Sequence, residues 1–119
     1  MALVRFEAEF EVMSRFSLHD LQKIIDARAA SEGEASYTRK LLSKGSEHCA
    51  KKFGEEAVET VIAAIGDNRE HLIAESADAL FHLLVLLKSR GVRLEEVEAA
   101  LEIRTGMSGL EEKAARKRD

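Results

Sequence analysis

The feature that most restricts this chain is the run from Leu72 to Leu87. At about 100° per residue, leucine, isoleucine, alanine, valine and phenylalanine point in nearly every direction around a helix drawn through it. A helix that is apolar on all sides has to be covered on all sides. Three ionisable residues interrupt the run: Glu75, Asp78 and His82. Their spacings of three and four put them on one stripe, and their presence excludes a membrane span. Two carboxylates on an otherwise buried helix are strongly disfavoured unless something neutralises them. A metal cation is one answer, and lysine or arginine partners are the other.

The rest of the composition agrees with a helical protein. The chain has 119 residues, no proline, seven glycines and only 5% aromatics. Alanine, leucine, glutamate, lysine and arginine dominate, and these favour helices. A net charge of −4 argues against a nucleic-acid binder, which is normally basic. A single cysteine, Cys49, excludes an intramolecular disulfide and a cysteine-rich zinc site, and reads as a small, partly buried residue. Glu7, Glu9 and Glu11 interrupt any apolar stretch near the start, so no secretory signal is expected and the chain reads as cytoplasmic.

Along the chain, residues 2–12 alternate apolar and charged, which predicts a strand with no evident partner. Ser17 and Asp20 form a capping box for a helix reaching about Ala30. Residues 31–36 read as a loop, and Tyr37 to Leu42 as a helical turn at most. A long helix is expected from about Glu47 to Ile65, closed by Gly66. Asp67 or Asn68 then caps a second long helix that ends at Gly91. A further helix spans roughly Leu94 to Arg104, although Arg93 is a weak cap for it. The tail from Thr105 has the composition of one more marginal helix.

The two long helices carry the chemistry. Glu56 and Glu59 on the first, and Glu75 and Asp78 on the second, form two closely spaced carboxylate pairs. The short turn between the helices makes them antiparallel neighbours. Counted outward from Asp67, the pairs lie at comparable height, so four carboxylates converge. Hard oxygen ligands of this kind suit magnesium or manganese rather than zinc. Lysine and glutamate at Lys52 and Glu56 are also spaced as an ordinary surface pair. The central helix needs more cover than its neighbours in one chain supply, which predicts a homodimer forming a four-helix bundle.

The pattern E-x-x-E, a gap and E-x-x-D resembles that of the all-α nucleotide pyrophosphohydrolases, the MazG-like superfamily. The segments Ser36-Tyr37-Thr38-Arg39-Lys40-Leu41-Leu42 and Ala50-Lys51-Lys52-Phe53-Gly54-Glu55-Glu56-Ala57-Val58-Glu59 narrow the likeness. So do the stretch from Glu75 to Leu87 and the segment Gly106-Met107-Ser108-Gly109-Leu110-Glu111-Glu112-Lys113-Ala114. Together they resemble the phosphoribosyl-ATP pyrophosphohydrolases of histidine biosynthesis. The likeness covers about residues 17–116, which makes 1–16 an N-terminal extension and 17–119 the domain.

This resemblance implies an all-α fold, completed by dimerisation, that hydrolyses phosphoribosyl-ATP to phosphoribosyl-AMP and pyrophosphate. It implies Mg²⁺, with Mn²⁺ as a substitute, held by Glu56, Glu59, Glu75 and Asp78. One carboxylate of the group Glu55, Glu56 and Glu59 takes the proton from water. Lys51 and Lys52 meet phosphates, and Arg39 and Lys40 reach the phosphates or the phosphoribosyl end. His82 is expected behind the ligands or in the core. A house-cleaning pyrophosphatase for other nucleoside triphosphates would share the same metal site, and a non-catalytic helical dimerisation module would have no use for the buried acids.

Overall fold

The computed structural model describes residues 15–32, 36–106 and 109–118. The strand expected over 2–12 lies outside the described residues. Those described fold into six helices and no strand: α1 (Leu18–Ala30), α2 (Tyr37–Ser43), α3 (Ser46–Ile65), α4 (Arg69–Ser89), α5 (Leu94–Thr105) and α6 (Gly109–Arg118). None of them is long and apolar enough to cross a membrane.

Local chemistry accounts for most of the helix ends. Ser17 caps α1 with both halves of a capping box: its hydroxyl accepts from the Asp20 amide, and the Asp20 carboxylate accepts from the Ser17 amide at 2.9 Å. The Asn68 side chain accepts from the His71 amide and starts α4. Gly91 lies in the left-handed region at φ +69. Around it the Val92 amide reaches the Leu87 carbonyl and the Gly91 amide reaches the Lys88 carbonyl, the Schellman pattern that ends α4. Gly45, at φ +93, turns the chain from α2 into α3.

Two sequence expectations need correction. Residues 37–43 form a full helix rather than a turn. Ser36 caps it, and burial of Thr38 and Leu41 against the rest of the fold supplies what seven isolated residues lack. Arg93 does not leave α5 weakly started either. A guanidinium has no acceptor and cannot cap, so the acceptors come from elsewhere. The Gln22 side-chain oxygen, buried on α1, accepts from the Leu94 amide at 2.8 Å, and Glu96 accepts from the Arg93 amide. The Gln22 side-chain nitrogen also donates to Glu95. Arg93 turns its guanidinium onto Asp26, which Lys88 pairs from α4.

α3 and α4 form an antiparallel hairpin, with Ser46 at the start of α3 donating to the Ser89 carbonyl at the end of α4. α1, α2 and α5 gather around the open end of that hairpin. There Ile25, Leu41, Cys49, Leu84, Val85 and Leu94 form the buried core, flanked by Leu21, Leu42, Phe81, Leu86 and Leu87. The hairpin's closed end, from Val58 to Leu80, receives little cover from the same chain: Val58, Val61, Ile62, Ile65, Ile73 and Leu80 are all exposed.

The buried bond from Gln22 to Leu94 generates a stability prediction. Gln22→Met keeps the side chain's bulk but leaves the Leu94 amide without its acceptor. We expect it to destabilise the fold by about 1–3 kcal/mol in urea unfolding. Unchanged stability would show that the α5 start does not depend on α1.

Candidate metal centre

The site follows from what lies along the seam between α3 and α4. On α3, Cys49, Phe53, Glu56, Thr60 and Ala63 recur at alternating spacings of four and three, and all are buried or half-buried. On α4, Leu72, Glu75, Ala79, His82 and Leu86 do the same. These are the positions that apolar residues hold in a simple antiparallel helix pair. Here Glu56, Thr60 and Glu75 occupy the middle of the seam instead.

Asp78 joins them one turn along α4 from Glu75. One carboxylate oxygen from each of Glu56, Glu75 and Asp78 lies within 4.8 Å of the others. Glu56 and Glu75 are half-buried and Asp78 is exposed, so the group opens to solvent on one side. Among the described residues, no lysine or arginine forms an ion pair with any of the three. Lys52 bonds to Glu55 at 3.2 Å instead, and the His71 Nε2 lies 3.4 Å from Glu75. Desolvation, then the charges of Asp78 and Glu75, raise the Glu56 carboxyl above its ordinary range. Carboxylates crowded without a lysine or arginine partner among the described residues fit a hard divalent cation. Mg²⁺ takes six oxygens at about 2.0–2.1 Å, so these three carboxylates would supply half of such a shell.

The remaining residues singled out in the sequence are distributed around this group. Glu59 is exposed, and its carboxylate lies outside the 4.8 Å cluster. It shares the height of Glu75 but sits about 60° around α3 from Glu56, away from the seam. Glu55 is exposed and engaged with Lys52. Lys51 and Lys40 are exposed and make no ion pair among the described residues. Arg39 donates to the Ser31 carbonyl and braces the connection between α1 and α2. His82 is buried, edge-on to Tyr37 and Phe81, and burial followed by the Lys52 charge lowers its pKa. A neutral imidazole in an aromatic nest is a core histidine beside the site.

Sequence reasoning passed over His71, Thr60 and the ring stack of Tyr37 on Phe81. The signal for His71 was its position four residues before Glu75, one helical turn away. Thr60 stands four residues after Glu56, where a helical threonine hydroxyl reaches back to a carbonyl.

The raised Glu56 carboxyl has a consequence for the metal-free protein. The fold holds that proton more tightly than the unfolded chain does, so this residue's effect is to lower stability as pH rises through the carboxylate range. Above its folded pKa the penalty is complete. We therefore expect metal-free Glu56→Gln to melt higher than wild type at neutral pH. Its melting temperature should also fall less between about pH 4 and pH 7. Parallel pH profiles for the two proteins would contradict the repulsion described here.

Comparison with known proteins bears on this site. Residues 18–105 match the family described as phosphoribosyl-ATP pyrophosphohydrolase. The chain is 76% identical over 107 residues to a phosphoribosyl-ATP pyrophosphatase 1 of Rhodopseudomonas palustris, covering 90% of this chain and 100% of that one. It is 74% identical to the protein of the same name from Bradyrhizobium diazoefficiens, covering 88% of this chain and 99% of the relative. A phosphoribosyl-ATP pyrophosphatase of Nitrobacter hamburgensis is 73% identical, with 90% of this chain and 100% of the relative covered. The all-helical fold, the carboxylate group on its central hairpin and a match running from α1 to the end of α5 together make this chain a member of the phosphoribosyl-ATP pyrophosphohydrolase family.

Proposed function

We propose that this chain hydrolyses phosphoribosyl-ATP to phosphoribosyl-AMP and pyrophosphate, an early step of histidine biosynthesis, with residues 17–119 as the working domain and 1–16 as an extension. The observation that carries the mechanism is the group of Glu56, Glu75 and Asp78, crowded together without a lysine or arginine partner among the described residues. The products require the anhydride linkage between the α- and β-phosphates to break, with water supplying the oxygen that completes one of the two new phosphate ends. A bound Mg²⁺, or Mn²⁺ in its place, supplies neutralisation of charge on the phosphate oxygens.

This chain's residues divide the remaining work. Glu56, Glu75 and Asp78 hold the ion. Glu59, or Glu55 once Lys52 has turned to the phosphates, takes the proton from water, unless Glu59 completes the ligand set. Lys51 and Lys40 meet the phosphates. Lys52 does so on releasing Glu55, and Arg39 contributes at the phosphoribosyl end. A cytoplasmic site of action goes with this reading.

The direct test is pyrophosphate release from phosphoribosyl-ATP and from a panel of nucleoside triphosphates, with Mg²⁺ or with chelator. We expect turnover of phosphoribosyl-ATP in Mg²⁺ alone. Glu56→Gln, Glu75→Gln and Asp78→Asn should each lower the rate by on the order of a hundredfold or more, with weakened metal binding. Glu59→Gln should lower the rate similarly. Whether its metal affinity falls or holds tells a ligand from a proton acceptor. Full activity in chelator would remove the metal from the mechanism, and preference for another triphosphate would reassign the substrate.

The same reading makes the enzyme a homodimer. Val58, Val61, Ile62 and Ile65 recur at helical spacing on α3, and Ile73 and Leu80 stand seven residues apart on α4. Ile65 is 81% exposed. Full burial of each such side chain contributes about 1.5–3 kcal/mol, so a second hairpin laid over this face is strongly favoured. Light scattering at micromolar concentration should give about twice the 13.2 kDa chain mass, and Val61→Glu should reduce it toward one chain. A folded, active monomer in the wild type would overturn the dimer and leave the metal site standing.

A further inference from the structure

The Thr60 hydroxyl lies 2.8 Å from the Glu56 carbonyl and 3.0 Å from the Glu75 carbonyl. The first contact is ordinary, since a threonine inside a helix commonly bonds back to the residue four before it. The second leaves the helix. It joins the α3 side chain to the α4 backbone at the residue that bears one of the clustered carboxylates. A hydroxyl has one proton, so the two carbonyls share it in a three-centre bond. Both are the backbone groups of residues in the cluster, one on each helix. A carbonyl oxygen has two lone pairs, and the Glu75 carbonyl can accept this bond beside the one from its own helix.

Side-chain packing does little to set the helix separation at this height. The seam positions here are Glu56 and Thr60 on α3 facing Glu75 and Ala79 on α4, with Ala63 and Leu72 next toward the turn. None of the four facing positions carries a large apolar side chain, and Leu72 lies one turn from Glu75 toward the closed end. Phe53 lies one turn from Glu56 toward the open end, and the tie from Ser46 to Ser89 lies roughly 20 Å from Thr60 along the hairpin. Thr60 is half-buried, so water competes weakly for its proton.

We propose that Thr60 is a positioning residue: its hydroxyl, bridging the backbone carbonyls of Glu56 and Glu75, sets the distance and register of α3 and α4 at the carboxylates and so fixes the metal-binding geometry. The inference rests on the metal-centre reading above. It assigns Thr60 no contact with the ion or the substrate. Like other groups that orient ligands from behind, it acts on how well the three oxygens converge, and loss of such groups lowers metal affinity by about 10–100-fold.

The test compares Mn²⁺ binding by the full chain, measured by electron paramagnetic resonance, in the wild type, Thr60→Val and Thr60→Ser. Valine keeps the shape and removes the hydroxyl, whereas serine keeps the hydroxyl. We expect Thr60→Val to bind Mn²⁺ about 10–100-fold more weakly and Thr60→Ser to bind within a few-fold of wild type. The Glu75 carbonyl ¹³C resonance of the metal-free protein should shift in the valine variant and not in the serine variant. Thr60→Ala repeats the comparison if the valine variant does not fold. A hydroxyl that served only stability would change the melting temperature and leave Mn²⁺ affinity alone. Tight wild-type binding with unchanged affinity in Thr60→Val overturns this inference and leaves the metal centre intact. Absence of Mn²⁺ binding by the wild type overturns the metal centre and this inference with it.

Discussion

Like charges held close together in the seam between two antiparallel helices are the constraint around which this structure is arranged. Glu56 and Glu75 occupy positions where a helix pair would normally interlock leucines, and Asp78 stands beside them. The raised Glu56 carboxyl is the electrostatic record of that placement. Crowded acids contribute nothing to holding α3 against α4, so cohesion has to come from other parts of the hairpin. At the open end it comes from the core built on Ile25, Leu41, Leu84 and Val85. At the site itself it comes from the Thr60 hydroxyl.

The displaced core explains the distribution of polar bonds elsewhere. With a small core, the contact of α5 with α1 relies on specific partners: Gln22 at the α5 start, Asp26 between Lys88 and Arg93, and His19 between Glu95 and Glu98. Most of these are surface pairs worth little individually. The buried Gln22 bond differs, because an unmet amide at a helix start cannot turn to water there. The apolar side chains that the seam does not use are carried on the hairpin's outer face, where the same chain leaves them exposed.

Much of this was legible in the residues. The Ser17 and Asp20 box, the Asn68 cap and the stop at Gly91 are local devices, each closed within a few residues of chain, and the helices end where those devices stand. The two carboxylate pairs were legible by spacing alone. The α2 helix and the start of α5 were not, because the groups that stabilise them are distant in sequence: packing on Thr38 and Leu41 in one case, Gln22 in the other. Periodicity also could not rank the acids. Glu56 and Glu59 look equivalent as a pair three residues apart, but that spacing rotates Glu59 out of the seam while Glu56 stays in it.

By itself, then, the sequence determined an all-helical chain, a central hairpin closed by three residues and a concentration of carboxylates on both of its arms. Those properties depend on propensity, capping and the 3.6-residue period, which act over one or two turns. Tertiary structure decided which acids meet, that Thr60 joins the two helices and that Gln22 reaches the start of α5. Each of these depends on the rotation and axial offset of one helix against another. A shift of a single residue in that register would change all of them while leaving every helix intact.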